Sequence, residues 1–325
     1  MRFLSAHCLG LIVIASLALA GCGGGDSHDH HGHDHKDHGH DHVHDHDHSG
    51  PNAHVWLDPV ETKKFVHLLD SALTRQIELA AKENRKARFV ASIFPIGSLV
   101  EEIVGDRAEV RVMLPSGSSP HGFDVTPDVM QMVTRADLTI IVGLGLDGWA
   151  SKVWQSAHGK SDAGRGELIS FQALMGQRLA DDAVPPSTRA QAVLDKLDAL
   201  HKKCEAELAK VKSKELVTFH NAFDLLAARY GLKVVAHLTE MDLPTGSEVT
   251  PGALKEAKAA VKKHNLRVLY AEPQYPDSAL KAIQEATGVA ILKLDDLGGP
   301  DRPGYRTYFE MMESNLKMLV DGQSK

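Results

Sequence analysis

Cysteine is scarce in this chain of 325 residues: Cys8, Cys22 and Cys204 are all there is. Cys8 precedes an N-terminal apolar stretch and is expected to leave with the export signal that the two make up, so a framework of intramolecular disulfides is excluded. Long apolar runs are also missing. The one candidate, residues 9–20, is short against the ~20 residues that a membrane span needs. With Arg2 ahead of it and small residues behind, it reads as an export signal. Basic clusters are absent too: 36 Lys and Arg against 43 Asp and Glu give a net charge of −7, which argues against nucleic-acid binding and excludes little else. No His-Glu-x-x-His pair is present, which removes one common signature of catalytic zinc.

Histidine, by contrast, is abundant. Eleven of 20 fall in one aspartate-rich run, at His28, His30, His31, His33, His35, His38, His40, His42, His44, His46 and His48. Alternating His and Asp cannot build a core, but they offer dense imidazole and carboxylate donors for divalent transition metals at low affinity. Just upstream, Leu19-Ala20-Gly21-Cys22 resembles the bacterial lipoprotein box, in which Cys22 is acylated after cleavage; Gly23-Gly24-Gly25 then suits a tether. Cys204 alone remains. It continues the apolar stripe Val193, Leu197, Leu200, Leu208, Val211 and is expected to be a buried structural thiol.

Downstream of the tract, short β-rich runs alternate with amphipathic helical runs. Strands are expected at 89–94, 109–114, 138–142, 216–219, 233–237, 267–271 and 289–294, and helices at 252–264 and 278–287, among others. This rhythm predicts an α/β fold with largely parallel sheets. It breaks once, where Pro185-Pro186 and Ser187 introduce a single long helix. Two lobes joined by that helix follow. The expected organisation is a signal peptide (1–21), a lipid-anchored His/Asp-rich tether (22–50), an N-terminal α/β lobe (51–186), a connecting helix (187–213) and a C-terminal α/β lobe (214–325). Asp58-Pro59-Val60-Glu61 marks a further helix start with a capping box, and Phe65, Leu69, Leu73 and Ile77 give that helix one apolar face.

Four residues look placed for chemistry. His54 sits just ahead of this helix start, His121 in a loop after the second strand, His220 directly after the strand at 216–219, and Asp295 after the last strand. Three of the four lie beyond strand carboxyl ends, where open α/β sheets put ligands. Three imidazoles and a carboxylate suit a borderline-soft divalent ion such as Zn²⁺, Cu²⁺ or Ni²⁺. A lone histidine after a strand is more often structural, so spacing alone leaves the site undecided.

The motifs Phe89-Val90-Ala91-Ser92-Ile93-Phe94-Pro95, Leu114-Pro115-Ser116-Gly117-Ser118-Ser119-Pro120-His121, Thr218-Phe219-His220-Asn221-Ala222-Phe223, Ala271-Glu272-Pro273-Gln274 and His54-Val55-Trp56-Leu57-Asp58-Pro59 weigh on that question. Together they resemble the metal-specific solute-binding proteins of bacterial ABC importers, zinc-uptake type. The resemblance implies two Rossmann-like lobes joined by one rigid helix, with Zn²⁺ between them on His54, His121 and His220. It places Asp295 where manganese-type members have a carboxylate, leaving the fourth position open among Asp295, Glu272 and a water. Glu272 is expected to orient a ligand imidazole. One departure stands out: the His-rich segment and the His54 motif, with its helix, normally follow the strand–helix unit around 138–158. Here they precede the first lobe, residues 159–190 look like a shortened remnant, and the chain reads as a permuted member. The tract still ends just upstream of His54, within about 20 Å of extended chain.

The resulting expectation is a monomeric, lipid-anchored, extracytoplasmic Zn²⁺-binding protein of the periplasm or cell surface that delivers zinc to an ABC permease and performs no chemistry. Two alternatives belong to other classes. One is a zinc hydrolase with Glu272 as base; the other is a metal-sequestering protein or adhesin on the same scaffold.

Overall fold

The computed structural model describes residues 52–159, 166–175, 185–238, 251–275 and 277–324. The export signal, Cys22 and the histidine tract lie outside them.

The first half runs α1 (Pro59–Lys82), β1 (Ala87–Ala91), α2 (Phe94–Val104), β2 (Ala108–Val112), α3 (Pro127–Thr134), β3 (Leu138–Ile141), α4 (Gly148–His158), β4 (Glu167–Ser170) and α5 (Phe171–Met175). After α6 (Thr188–Leu208) the second half runs β5 (Glu215–Thr218), α7 (Asp224–Arg229), β6 (Lys233–His237), α8 (Pro251–Lys263), β7 (Val268–Ala271), α9 (Asp277–Thr287), β8 (Ala290–Lys293) and α10 (Tyr308–Gln323). The strands form two four-stranded sheets, ordered β2-β1-β3-β4 and β6-β5-β7-β8, and every pairing is parallel. The expected α/β class and parallel sheets are therefore present, and the second sheet repeats the winding of the first. In each, the chain steps outward on one side and then crosses to the other, so the switch points fall between β1 and β3 and between β5 and β7.

Local sequence explains most boundaries. Pro95 sits in the first turn of α2, so the first strand stops at Ala91 instead of running on to residue 94. Ser187 caps α6 by accepting the Ala190 N–H, as the Pro-Pro-Ser sequence implies. Asp58 caps α1 through the Val60 N–H. Glu61 does not close the expected capping box: its carboxylate pairs with Lys64 and reaches Arg229 of α7. Residues 166–175, expected only as a shortened remnant, contribute β4 and α5. Strand β4 is an edge strand of four half-buried residues, too short and too evenly wetted to show as an apolar run.

α1 lies along α6. Phe65, Leu69 and Leu73 are buried there, Phe65 stacks on Phe171 at 4.4 Å, and the Asp70 carboxylate accepts the Ser187 N–H at 2.6 Å and its hydroxyl at 2.7 Å. Cys204 is buried on the stripe with Val193, Leu197, Leu200 and Leu208, and burial pushes its thiol up to about 11, away from nucleophilic character. One apolar cluster runs unbroken from Phe89 and Leu99 beside the first sheet, through α1 and α6, to Leu216 and Tyr270 in the second. Two smaller clusters cover the far faces of the two sheets. Among the described residues no helix is long and apolar enough to cross a membrane.

Candidate metal centre

His220 lies two residues beyond β5, at the switch point of the second sheet. Thr218 is in register with Tyr270 of the neighbouring β7, so two residues further on His220 comes level with Glu272. The result is a contact of 3.0 Å between His220 Nδ1 and Glu272 Oε1, both side chains being buried. Since the carboxylate can only accept, the proton belongs on Nδ1, and Nε2 presents its lone pair.

His54 reaches the same point from a one-turn 3₁₀ helix, Val55–Leu57, that leads into α1. Its backbone N–H donates to Asn52 Oδ1 at 2.8 Å, and its Nδ1 lies 3.2 Å from that oxygen. A backbone N–H is always a donor, so the oxygen assignment of the Asn52 amide follows. His54 Nδ1 must then carry its proton, and Nε2 is again the free acceptor. The two Nε2 atoms face each other 3.3 Å apart, His220 donating to His54 while it carries a second proton.

His121 completes the group from the loop after β2. Trp149 of α4 donates its indole N–H to Pro120 O at 2.9 Å and packs edge-on against Phe123, pinning that loop on both sides of His121. The three rings stand 5.0 to 5.7 Å apart by centroid, and one donor atom from each lies within 4.8 Å of the others. Donors bonded at 2.0–2.2 Å to a tetrahedral ion stand roughly 3.4 Å apart, which matches the His54–His220 spacing.

The structure does not bring Asp295 into this trio. Its Oδ1 accepts the N–H groups of Leu297 and Gly298, and its Oδ2 pairs with Arg302 at 2.5 Å. The next residue, Asp296, is the carboxylate nearer the imidazoles: Oδ2 is 4.0 Å from His54 Nε2, while Oδ1 accepts from Gln274. Glu272 faces the back of the His220 ring, turned from the side that holds the lone pair. It is therefore not placed as a base toward a metal-bound water, which removes the residue that the hydrolase alternative relied on.

Burial, and then the charges of His220 and His121, hold His54 well below the ordinary imidazole range. Burial opposes charge on His220 as well, but the Glu272 charge and hydrogen bond, with Asp296 and Asp224, raise it. Burial pushes the Asp296 carboxyl up to about 7, although His220 pulls it down. Metal-free, the centre thus holds protons that a cation must displace.

The sequence reading overlooked Asn52 and Asp296 and assigned no role to the indole N–H of Trp56 or Trp149. An asparagine two residues ahead of His54 is a local signal, because Asn side chains bond backbone two positions on. Trp56 also spends its indole N–H, on Asp296 O at 2.7 Å, and Tyr308 donates to Trp56 O at 2.8 Å.

Comparison with known proteins agrees with this architecture. The family model described as zinc-uptake complex component A, periplasmic (ZnuA), matches residues 89–178 and 179–322. His54 and α1 lie upstream of the match. The zinc-binding lipoprotein AdcA of Streptococcus pneumoniae is 23% identical over 305 residues, covering 79% of this chain but only 60% of its own length. The manganese-binding lipoprotein MntA of Halalkalibacterium halodurans is 22% identical over 276 residues, covering 75% of this chain and 91% of its own. The solved structure of the periplasmic zinc-binding protein TroA from Treponema pallidum aligns with a TM-score of 0.64 at 20% identity, over 74% of this chain and all of that one.

Proposed function

Because the chain belongs to the periplasmic zinc-uptake complex component A family, we propose that it is an extracytoplasmic receptor for a divalent transition metal, Zn²⁺ foremost, that passes its cargo unchanged to the permease of an ABC importer. One observation carries the reading. His54 and His220 both have Nδ1 turned to an acceptor, so two Nε2 lone pairs converge at 3.3 Å with His121 beside them. Metal-free, a proton on His220 Nε2 bridges the two nitrogens; a cation displaces it and takes both lone pairs.

Relatives carry both zinc and manganese in their names, so the preference for Zn²⁺ rests on donor chemistry. Imidazole nitrogen suits Zn²⁺, whereas Mn²⁺ favours carboxylate and carbonyl oxygen. His54, His121 and His220 serve as ligands in this reading, and Glu272 acts behind His220 to fix its ring and raise its basicity. The lobes are assigned to 51–186 and 214–325, with the connector at 187–213. Acylated Cys22 anchors the protein to the membrane, and the histidine tract collects metal weakly, raising its local concentration.

Calorimetric titration of Zn²⁺ and Mn²⁺ tests this on the processed chain and on a chain beginning at Gly50. One tight Zn²⁺ site in both, with weak Mn²⁺ binding, is the expected result. Loss of all tight binding with the tract removed would overturn it.

A further inference from the structure

The carboxylate that completes the cargo site is Asp296 and not its neighbour Asp295, we propose; the inference rests on the reading of the histidine trio as a cation site. Both aspartates follow β8 and both are buried, at 0% and 1% exposure, so burial does not separate them. Their partners do.

Asp295 is a structural knot. Its side chain turns the chain through the Leu297 and Gly298 N–H groups and neutralises Arg302, while the Asn315 amide holds its backbone N–H and carbonyl. A divalent ion would have to strip an arginine from it. Asp296 is arranged differently. Its main chain is fixed by the Trp56 indole, and the plane of its carboxylate is set by Gln274 at Oδ1. Among the described residues neither Oδ2 has a hydrogen bond, but that of Asp295 faces Arg302 at 2.5 Å, whereas that of Asp296 is paired with no arginine or lysine and lies 4.0 Å from His54 Nε2.

A buried carboxylate oxygen lacking a donor is costly and is seldom left so in a folded protein. Among the described residues no lysine or arginine pairs with Asp296. A metal on the imidazoles answers both needs at once: it takes the converging nitrogen lone pairs and neutralises the stranded oxygen. The distance from Oδ2 to His54 Nε2 exceeds the roughly 3.4 Å between donors on a tetrahedral ion by little, and a small side-chain rotation closes it. The resulting set, three nitrogens and one anionic oxygen, suits Zn²⁺.

The test uses the processed protein with Asp296→Asn, Asp296→Glu, Asp295→Asn and His220→Ala. Zn²⁺ affinity is measured against a chelator strong enough to silence the tract. Co²⁺ visible absorption reports the ligand set, and urea unfolding of the metal-free protein reports the fold. Asp296→Asn is expected to bind Zn²⁺ at least ~10-fold more weakly and to alter the Co²⁺ spectrum, with no loss of metal-free stability. Asp295→Asn is expected to unfold at lower urea yet keep the Co²⁺ spectrum. Should Asp296→Asn not fold, Asp296→Glu carries the test, because lengthening a true ligand shifts that spectrum. Wild-type affinity and spectrum in the Asp296 variants, with His220→Ala weakened, would overturn this assignment alone. Wild-type affinity in His220→Ala would remove the cation site and this assignment with it.

Discussion

His54 and His220 stand 166 residues apart in the chain and meet Nε2 to Nε2 at 3.3 Å. Neither ring is free to turn away, since Asn52 holds one from behind and Glu272 the other. The affinity of the centre should therefore depend on the two residues behind the rings as well as on the rings themselves.

Replacing a ring removes a ligand outright. His54→Ala and His220→Ala should each weaken Zn²⁺ binding by more than the ~10–100-fold typical of an outer partner, with the far-ultraviolet circular dichroism unchanged. Chelator competition measures the first and the spectrum checks the second.

Asn52 gives a subtler case. Its Oδ1 serves His54, and its Nδ2 donates to Asn221 O at 2.8 Å, next to His220. Asn52→Ala frees both histidine segments and should cost ~10–100-fold in Zn²⁺ affinity. Asn52→Asp keeps the acceptor for His54 and loses only the donor, so it should fall between. Equal affinity in Asn52→Ala and wild type would refute the idea.

Acidity should matter with a definite sign. His220 is raised and Asp296 reaches about 7, so below neutrality protons occupy groups that face the metal. Zn²⁺ affinity should therefore rise with pH through about 7 and level off above. Glu272→Gln removes the largest influence raising His220 and should move the rising limb to lower pH. Titrations in buffers of different ionisation enthalpy would count the protons released.

Stability can be probed at the strap that carries His54. Tyr308→Phe loses the hydrogen bond to Trp56 O, and Trp56→Phe loses the one to Asp296 O. Trp56→Phe should cost about 1 to 3 kcal/mol, because the buried Asp296 carbonyl is left without a side-chain donor, and Tyr308→Phe about 1 kcal/mol, because Thr62 still donates to Trp56 O at 3.0 Å. Urea unfolding of the metal-free protein is the measurement; an unchanged midpoint would mean that water replaces the lost donor.

Much of this was legible in the chain. Strands β3 and β7 stand out because both faces are covered and, Thr139 aside, Leu138–Ile141 and Val268–Ala271 carry no polar aliphatic or charged side chain. β4 did not, because half-wetted residues at a sheet edge leave no such mark. The three histidines that the structure brings together were picked out from the residues around them, but that Asp296 lies nearer to them than Asp295 was beyond that method. Beyond a strand end, side-chain direction depends on what the loop does next, and here that is set by Arg302 and Asn315, seven and 20 residues away. The Asn52 strut is half local and half remote: its bond to His54 spans two residues, its bond to Asn221 spans 169.

The apolar cluster that joins Phe89 to Tyr270 without interruption also bears on timing. Spreading the two sheets enough to wet about 200 Å² of it would cost about 5 kcal/mol at ~25 cal/mol per Å², which leaves roughly one molecule in 5,000 open at any moment. Spontaneous escape of a bound ion by that route would be a rare event. In the proposed receptor role, how long a bound ion stays would then be governed by the encounter that supplies the missing free energy, and the residence time would be a property of the partner as much as of the ligands.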